Sequence, residues 1–274
     1  MFRCGEFTMP LGKKTYVMAI LNYTPDSFSD GGKFNTPETA LQKAVDAEKQ
    51  GADILDIGAQ STRPGSKTLT HAEELKRLEE VFSAIKGRVS VPVSVDTFYP
   101  ECAEFALENG AVIINDVSGK MNEDMVRLAK KYGAGYIVTH NPSSASEQAE
   151  YPDGALMAVR SFFLECLEKA HALDLNRSSL CLDPGFGFGK SRENDYEILK
   201  GLNLLKFTGT ALLAGVSRKR MTDPDGLFAP EERELETTAA NTLAIAGGAD
   251  IIRVHNVPNA VRAAAFADRA LRRA

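Results

Sequence analysis

The chain has no CxxC pair, no excess of positive charge, no apolar run of membrane length and no Pro/Gly/Ser-rich linker, and each absence removes a class of protein. With 32 Lys and Arg against 37 Asp and Glu, its formal net charge is −5 and its pI is near 5.5. That is the wrong sign for a nucleic-acid surface, so any anionic ligand must meet a local cluster of cations. The four cysteines, Cys4, Cys102, Cys166 and Cys181, lack metal-type spacing, and two fall on apolar helix faces. They read as buried reduced thiols, in keeping with a cytoplasmic location. No stretch reaches the roughly 18 apolar residues of a membrane span, and Glu6, Lys13 and Lys14 interrupt any signal-peptide core. The expectation is a soluble, cytoplasmic protein with neither nucleic acid nor membrane as partner.

What is present is alternation. Short apolar runs take turns with segments of helical period, the pattern of a parallel sheet with crossover helices. Eight strands are expected: Tyr16 to Leu21, Ile54 to Ile57, Val93 to Asp96, Val112 to Asn115, Tyr136 to Thr139, Leu180 to Asp183, Ala211 to Val216 and Ile251 to Val254. Thr36-Pro37 marks a helix start and Gly51 its end, and Thr70 with Glu73 forms a capping box. Leu75, Leu78, Phe82 and Ile85, then Leu156, Val159, Phe163 and Cys166, are helical stripes for packing on a sheet. Eight βα units without a composition break favour α/β architecture as one (β/α)8 TIM barrel spanning 1–274 over an open doubly wound sheet. Two connections, 22–35 and 58–70, exceed the usual length of about 2 to 6 residues and read as active-site loops.

A barrel of this kind assembles its site at the carboxyl ends of the strands. Polar residues stand at all eight: Asn22; Ser61, Thr62 and Arg63; Asp96; Asn115 and Asp116; His140; Asp183; Ser217, Arg218 and Lys219; Arg253 with His255. Arg63, Lys219, Arg253 and His255 supply cations for a phosphorylated or carboxylated substrate. Asn22 offers a neutral oxygen to Mg2+ held mainly by waters and substrate phosphates. Asp96, Asn115 and Asp183 are short acceptors for the N–H donors of a flat heterocycle. Arg253 and His255 share a face by strand alternation.

These residues carry a resemblance. Leu21-Asn22-Tyr23-Thr24-Pro25-Asp26-Ser27-Phe28-Ser29-Asp30-Gly31-Gly32, Ser61-Thr62-Arg63-Pro64-Gly65, Val95-Asp96-Thr97 and Ile114-Asn115-Asp116-Val117-Ser118-Gly119 resemble, in order, the loops of the dihydropteroate synthase family of pterin-binding enzymes. So do Asp183-Pro184-Gly185-Phe186-Gly187-Phe188-Gly189-Lys190, Ser217-Arg218-Lys219 and Arg253-Val254-His255. The resemblance implies a TIM barrel, Mg2+, a homodimer, and condensation of a pterin methyl diphosphate with 4-aminobenzoate. It gives Asp96, Asn115 and Asp183 to the pterin, with Lys219 at the ring's carbonyl side. Asn22, Arg253 and His255 go to the diphosphate and its metal, and Phe28, Thr62, Arg63, Pro64 and Phe188 to the pocket for 4-aminobenzoate. Ser217 completes the substrate-binding set.

The chain departs from that pattern. Tyr23 replaces a smaller residue, Gln60 a glutamate and Asn256 an aspartate, while Thr139 and Asn141 replace methionines flanking His140. Arg220 stands where a serine would meet the aminobenzoate carboxylate, either to bind it directly or to swing out and leave the backbone to do so. Lys190 reads as solvent-exposed, His71 and His171 as facing water, Arg218 as either a brace for the rim or a substrate contact, and Glu231 to Glu234 as a solvated helix start. Two other functions stay open: a folate-dependent corrinoid methyltransferase, which shares barrel and pterin pocket, and a catalytically silent pterin-binding paralog. The Arg253 and His255 pair speaks against the first, since a methyl donor presents no diphosphate.

Overall fold

The computed structural model describes residues 1–24, 36–60, 68–142 and 149–272. Two short strands, β1 (Phe2–Cys4) and β2 (Phe7–Met9), form an antiparallel hairpin. Eight parallel strands follow: β3 (Tyr16–Asn22), β4 (Ile54–Gly58), β5 (Val93–Asp96), β6 (Ala111–Asp116), β7 (Gly135–Thr139), β8 (Leu180–Asp183), β9 (Ala211–Ala214) and β10 (Ile251–Val254). They lie in sequence order and close where β10 pairs with β3. The eight expected strands are all found, with ends shifted by at most two residues.

Around them run α1 (Pro37–Lys49), α2 (His71–Ile85), α3 (Pro100–Glu108), α4 (Glu123–Tyr132), α5 (Ala155–Ala172), α6 (Arg192–Lys200), α7 (Glu234–Ala246) and α8 (Val257–Leu271). Thr36 and Thr70 cap α1 and α2 with reciprocal side-chain bonds, so both starts are set locally. The stripes face inward: Leu78, Phe82 and Ile85 on α2, and Val159, Phe163 and Cys166 on α5, are buried against outward strand residues such as Leu55, Val95 and Leu182. All four cysteines are buried and free. His71 and His171 are exposed. Among the described residues no helix is long and apolar enough to cross a membrane.

The lining of the barrel positions the site. Strand residues alternate between helices and interior. Met18, Ile54, Ile113, Ile137, Cys181, Leu213 and Ile251 point inward and form an apolar cluster separate from the outer core. The N-terminal hairpin, which the sequence pattern did not announce, joins that cluster through Phe2, Cys4 and Met9. Gly135 makes room for it, because a Cβ there would lie 2.6 Å from the Phe2 ring. Burying Phe2 stabilises the base by about 1.5–3 kcal/mol. Two residues further along the same strands, the inward positions are Asp56, Asn115, Thr139, Asp183, Gly215 and Arg253, with Asp96 in register with Asn115. Within one layer the lining turns from hydrocarbon to acid, amide and guanidinium.

Candidate active site

Asp96 ends β5, and its Oδ2 accepts from Arg253 Nη2 at 2.6 Å. Arg253 also donates through Nε to Asp56 Oδ2 at 2.6 Å, and that oxygen accepts from Asn115 Nδ2 at 3.1 Å. The guanidinium is thus bound by two carboxylates, which raise its pKa against the cost of burial. Burial pushes the Asp96 carboxyl up to about 7 despite Arg253 beside it, with Asp56 and Glu74 adding to the rise. Asp56 Oδ1, Asp96 Oδ1 and Asn115 Oδ1 are buried with no hydrogen-bond partner among the described residues. Three orphaned acceptors in one layer suit a ligand that brings N–H donors.

Asp183 ends β8. Its Oδ1 accepts from Gly185 N at 2.8 Å and its Oδ2 from Thr139 Oγ1 at 3.4 Å. Thr139, one of the departures, therefore adds a hydroxyl to this carboxylate. Burial raises the Asp183 pKa while Lys219 opposes the rise, and burial lowers that of Lys219 while Asp183 opposes the fall. Lys219 donates to the Phe186 carbonyl and lies 4.8 Å from the centre of the Phe188 ring. A methyl group at Gly215 would lie 3.9 Å from both Lys219 Nζ and Arg253 Cβ, so the two cations flank the same glycine.

Behind the glycine loop the structure corrects the sequence reading. Lys190, expected in solvent, is 1% exposed. Its Nζ donates to the carbonyls of His140 at 3.1 Å, Gly185 at 2.8 Å and Phe188 at 3.0 Å, which uses all three of its protons. A charged side chain beside a turn is ordinarily solvated, but here the turn's inward carbonyls need donors and draw the ammonium in. Burial brings the ammonium down to about 7. Gly185, at φ +66°, admits no side chain: a Cβ would meet the His140 carbonyl oxygen at 2.1 Å. The His140 ring packs edge-on to Phe162, and burial, then Lys190, brings its pKa down to about 3.

On the adjoining rim, after β9 and β10, His255 Nδ1 and Ser217 Oγ are 3.0 Å apart, and His255 N donates to the same hydroxyl at 3.3 Å. Asn256 caps α8 by accepting from Asn259 N at 3.1 Å, so this departure keeps the helix start that places His255. Arg218, at φ +58°, bonds Glu234 at 2.6 Å and is a rim brace. Arg233, expected in a solvated run, instead pairs with buried Asp223 at 3.1 Å and pins the 223–228 turn. Arg220 is exposed, with Nη2 3.4 Å from the Lys190 carbonyl oxygen. Asn22 is exposed at the end of β3 beside Gly58.

The base of the second loop also differs from expectation. Gln60 replaces a carboxylate, yet a carboxylate is present: Glu74 of α2, fully buried, accepts from Gln60 Nε2 at 2.5 Å. Burial pushes Glu74 up to about 7. Tyr23 is buried beyond the end of β3 and donates to Glu80 at 2.7 Å. Phe28, Thr62, Arg63 and Pro64 lie outside the described residues. Asp56, absent from the sequence reading, was discoverable there as the one acid inside Ile54-Leu55-Asp56-Ile57-Gly58, on the same face as Ile54.

A parallel eight-stranded barrel with acids, an amide and cations in its mouth defines an enzyme of the TIM-barrel class. Residues 18–255 match the family model for the pterin binding enzymes, and the chain belongs to that family. A dihydropteroate synthase of Clostridium beijerinckii is 38% identical over 99% of this chain and 100% of its own length. Among solved structures, the Yersinia pestis dihydropteroate synthase with a sulfonamide drug complex superposes with a TM-score of 0.91 at 34% identity, covering 98% of this chain and 99% of that one. The Xanthomonas albilineans enzyme in complex with 7,8-dihydropteroate gives 0.82 at 34% identity, over 94% of each chain.

Proposed function

We propose that the protein is a dihydropteroate synthase, one pterin-binding domain over 1–274 that condenses (7,8-dihydropterin-6-yl)methyl diphosphate with 4-aminobenzoate, giving 7,8-dihydropteroate and diphosphate. One observation carries this reading: the barrel lining changes within a layer from hydrocarbon to Asp96, Asn115 and Asp183, with Lys219 and Arg253 flanking Gly215. The acceptors take the N–H donors of the pterin's amino-pyrimidinone edge, and Lys219 faces its carbonyl side. Ser217, His255 and Arg253 receive the diphosphate.

As the bond between the pterin methylene and diphosphate breaks, positive charge spreads into the ring and negative charge gathers on the departing oxygens. Buried carboxylates favour the first and the cations the second. The amine of 4-aminobenzoate then attacks the methylene carbon without needing a strong base. Phe28, Thr62, Arg63, Pro64 and Phe188 shape its pocket, and the two long loops keep out water that would capture the cation.

Among the described residues no cluster of three or more His, Cys, Asp or Glu forms a metal cage. A single exposed amide oxygen on Asn22 fits Mg2+ that arrives on the diphosphate and keeps its waters. When bound, the ion supplies charge neutralisation for the leaving group. Leu235, Leu243 and Phe266 on α7 and α8 are 79%, 59% and 72% exposed, which supports a homodimer through that face. The protein works in the cytoplasm, with sulfonamides competing for the 4-aminobenzoate pocket.

A coupled assay for diphosphate release tests the proposal. Release that requires both 4-aminobenzoate and Mg2+ supports it. Folded protein that releases none, or that transfers methyl from methyltetrahydrofolate to a corrinoid, refutes it.

A further inference from the structure

Asp56 stands in the middle of β4 rather than at its end, fully buried. An isolated carboxylate in such a place costs several kcal/mol. Neutralising Arg253 does not account for it, because Asp96 already holds that guanidinium at 2.6 Å. What Asp56 adds is a shared atom: its Oδ2 accepts both Arg253 Nε at 2.6 Å and Asn115 Nδ2 at 3.1 Å. By taking the amide's N–H, Asp56 turns Asn115 Oδ1 into the acceptor left for a ligand. By taking Nε, it sets the plane of the guanidinium.

The geometry points to Asp56 as a positioning residue that couples the two halves of the site, so that a pterin on Asn115 and an anion on Arg253 each raise the other's affinity. The inference rests on the ring and anion assignments above. An anion on Arg253 draws part of the guanidinium's charge away from Asp56 and Asp96, and both carboxylates then become stronger acceptors. Asp56 tightens its grip on the Asn115 amide, and Asp96 Oδ1 on ring donors. Linkage makes the effect reciprocal.

Titration of inorganic diphosphate with Mg2+ into the intact protein, with and without saturating 6-hydroxymethylpterin, tests this. The parent binds diphosphate at least about fivefold tighter when the pterin is present. Asp56→Asn keeps the size of the side chain and loses its charge; it retains binding of each ligand but loses the enhancement. Asp56→Ser also removes the shared acceptor while leaving the pterin acceptors in place, and decides the matter if Asp56→Asn does not fold. Enhancement kept in either folded variant, or missing in the parent, overturns the coupling. A parent that binds neither ligand overturns the ring and anion assignments instead.

Discussion

Lys190→Met is the perturbation whose outcome the structure sets most tightly. The parent ammonium serves the carbonyls of His140, Gly185 and Phe188 at 3.1, 2.8 and 3.0 Å. Methionine fills similar volume and removes the charge, so the burial cost of the ammonium disappears with its bonds. The three carbonyls remain, and each unsatisfied buried acceptor costs about 1–3 kcal/mol. The net loss is about 3 kcal/mol or more, which in a chain of this length lowers Tm by about 5–10 °C. The pH dependence fixes the sign. Lys190 ionises near 7 in the fold against the ordinary 10.5 of a lysine, so between those values the unfolded chain binds more protons and parent stability rises with pH. The stability gap between parent and Lys190→Met therefore widens from pH 7 to pH 10. Because Gly185 donates to Asp183 and Phe186 accepts from Lys219, the variant also raises KM for the pterin diphosphate more than it lowers kcat. Thermal unfolding across pH and steady-state kinetics measure all of this. A variant that melts within about 1 °C of the parent at every pH refutes the reasoning.

Three further outcomes follow. Asp96 carries a pKa raised to about 7, so its stabilising share is full below about 4 and gone above 7; Asp96→Asn flattens the acid side of the stability profile, and an unchanged profile in chemical denaturation contradicts this. Phe2→Ala empties the base of the barrel at a cost of about 3–5 kcal/mol, yet the folded fraction keeps its kcat, since Phe2 belongs to the apolar layer below the polar one; lost kcat at full folding contradicts the layering. Arg220→Ser raises KM for 4-aminobenzoate by up to about tenfold if the exposed guanidinium binds that carboxylate, and identical affinities for 4-aminobenzoate and a sulfonamide in both proteins dismiss the side chain.

The barrel was legible because its determinants are local. Apolar runs bounded by turn residues gave every barrel strand, and Thr36 and Thr70 announced their helices through neighbours three residues away. The strand-end inventory reached Asp96, Asn115, Asp183, Lys219, Arg253 and His255 because the site collects where strands finish. Asp56 falls outside that inventory because it stands inside β4, and only its two-residue spacing from Ile54 marks it as facing inward. Lys190 was misread because its partners include His140, 50 residues away, and nothing at Gly189-Lys190 marks that carbonyl. The hairpin of Phe2–Cys4 and Phe7–Met9 is too short to show a period, and its place is fixed by the cavity beside Gly135 rather than by propensity. Glu74 carries no local mark on its charged helix, because its partner Gln60 lies 14 residues away in the chain.

The most direct test of the central claim is a structure of the protein with 6-hydroxymethylpterin and inorganic diphosphate bound together. The claim predicts the ring's amino edge against Asp183 and Asn115 and the anion against Ser217, His255 and Arg253, both within the mouth of the barrel. A pterin seated elsewhere, or a diphosphate that leaves Arg253 and His255 untouched, contradicts it.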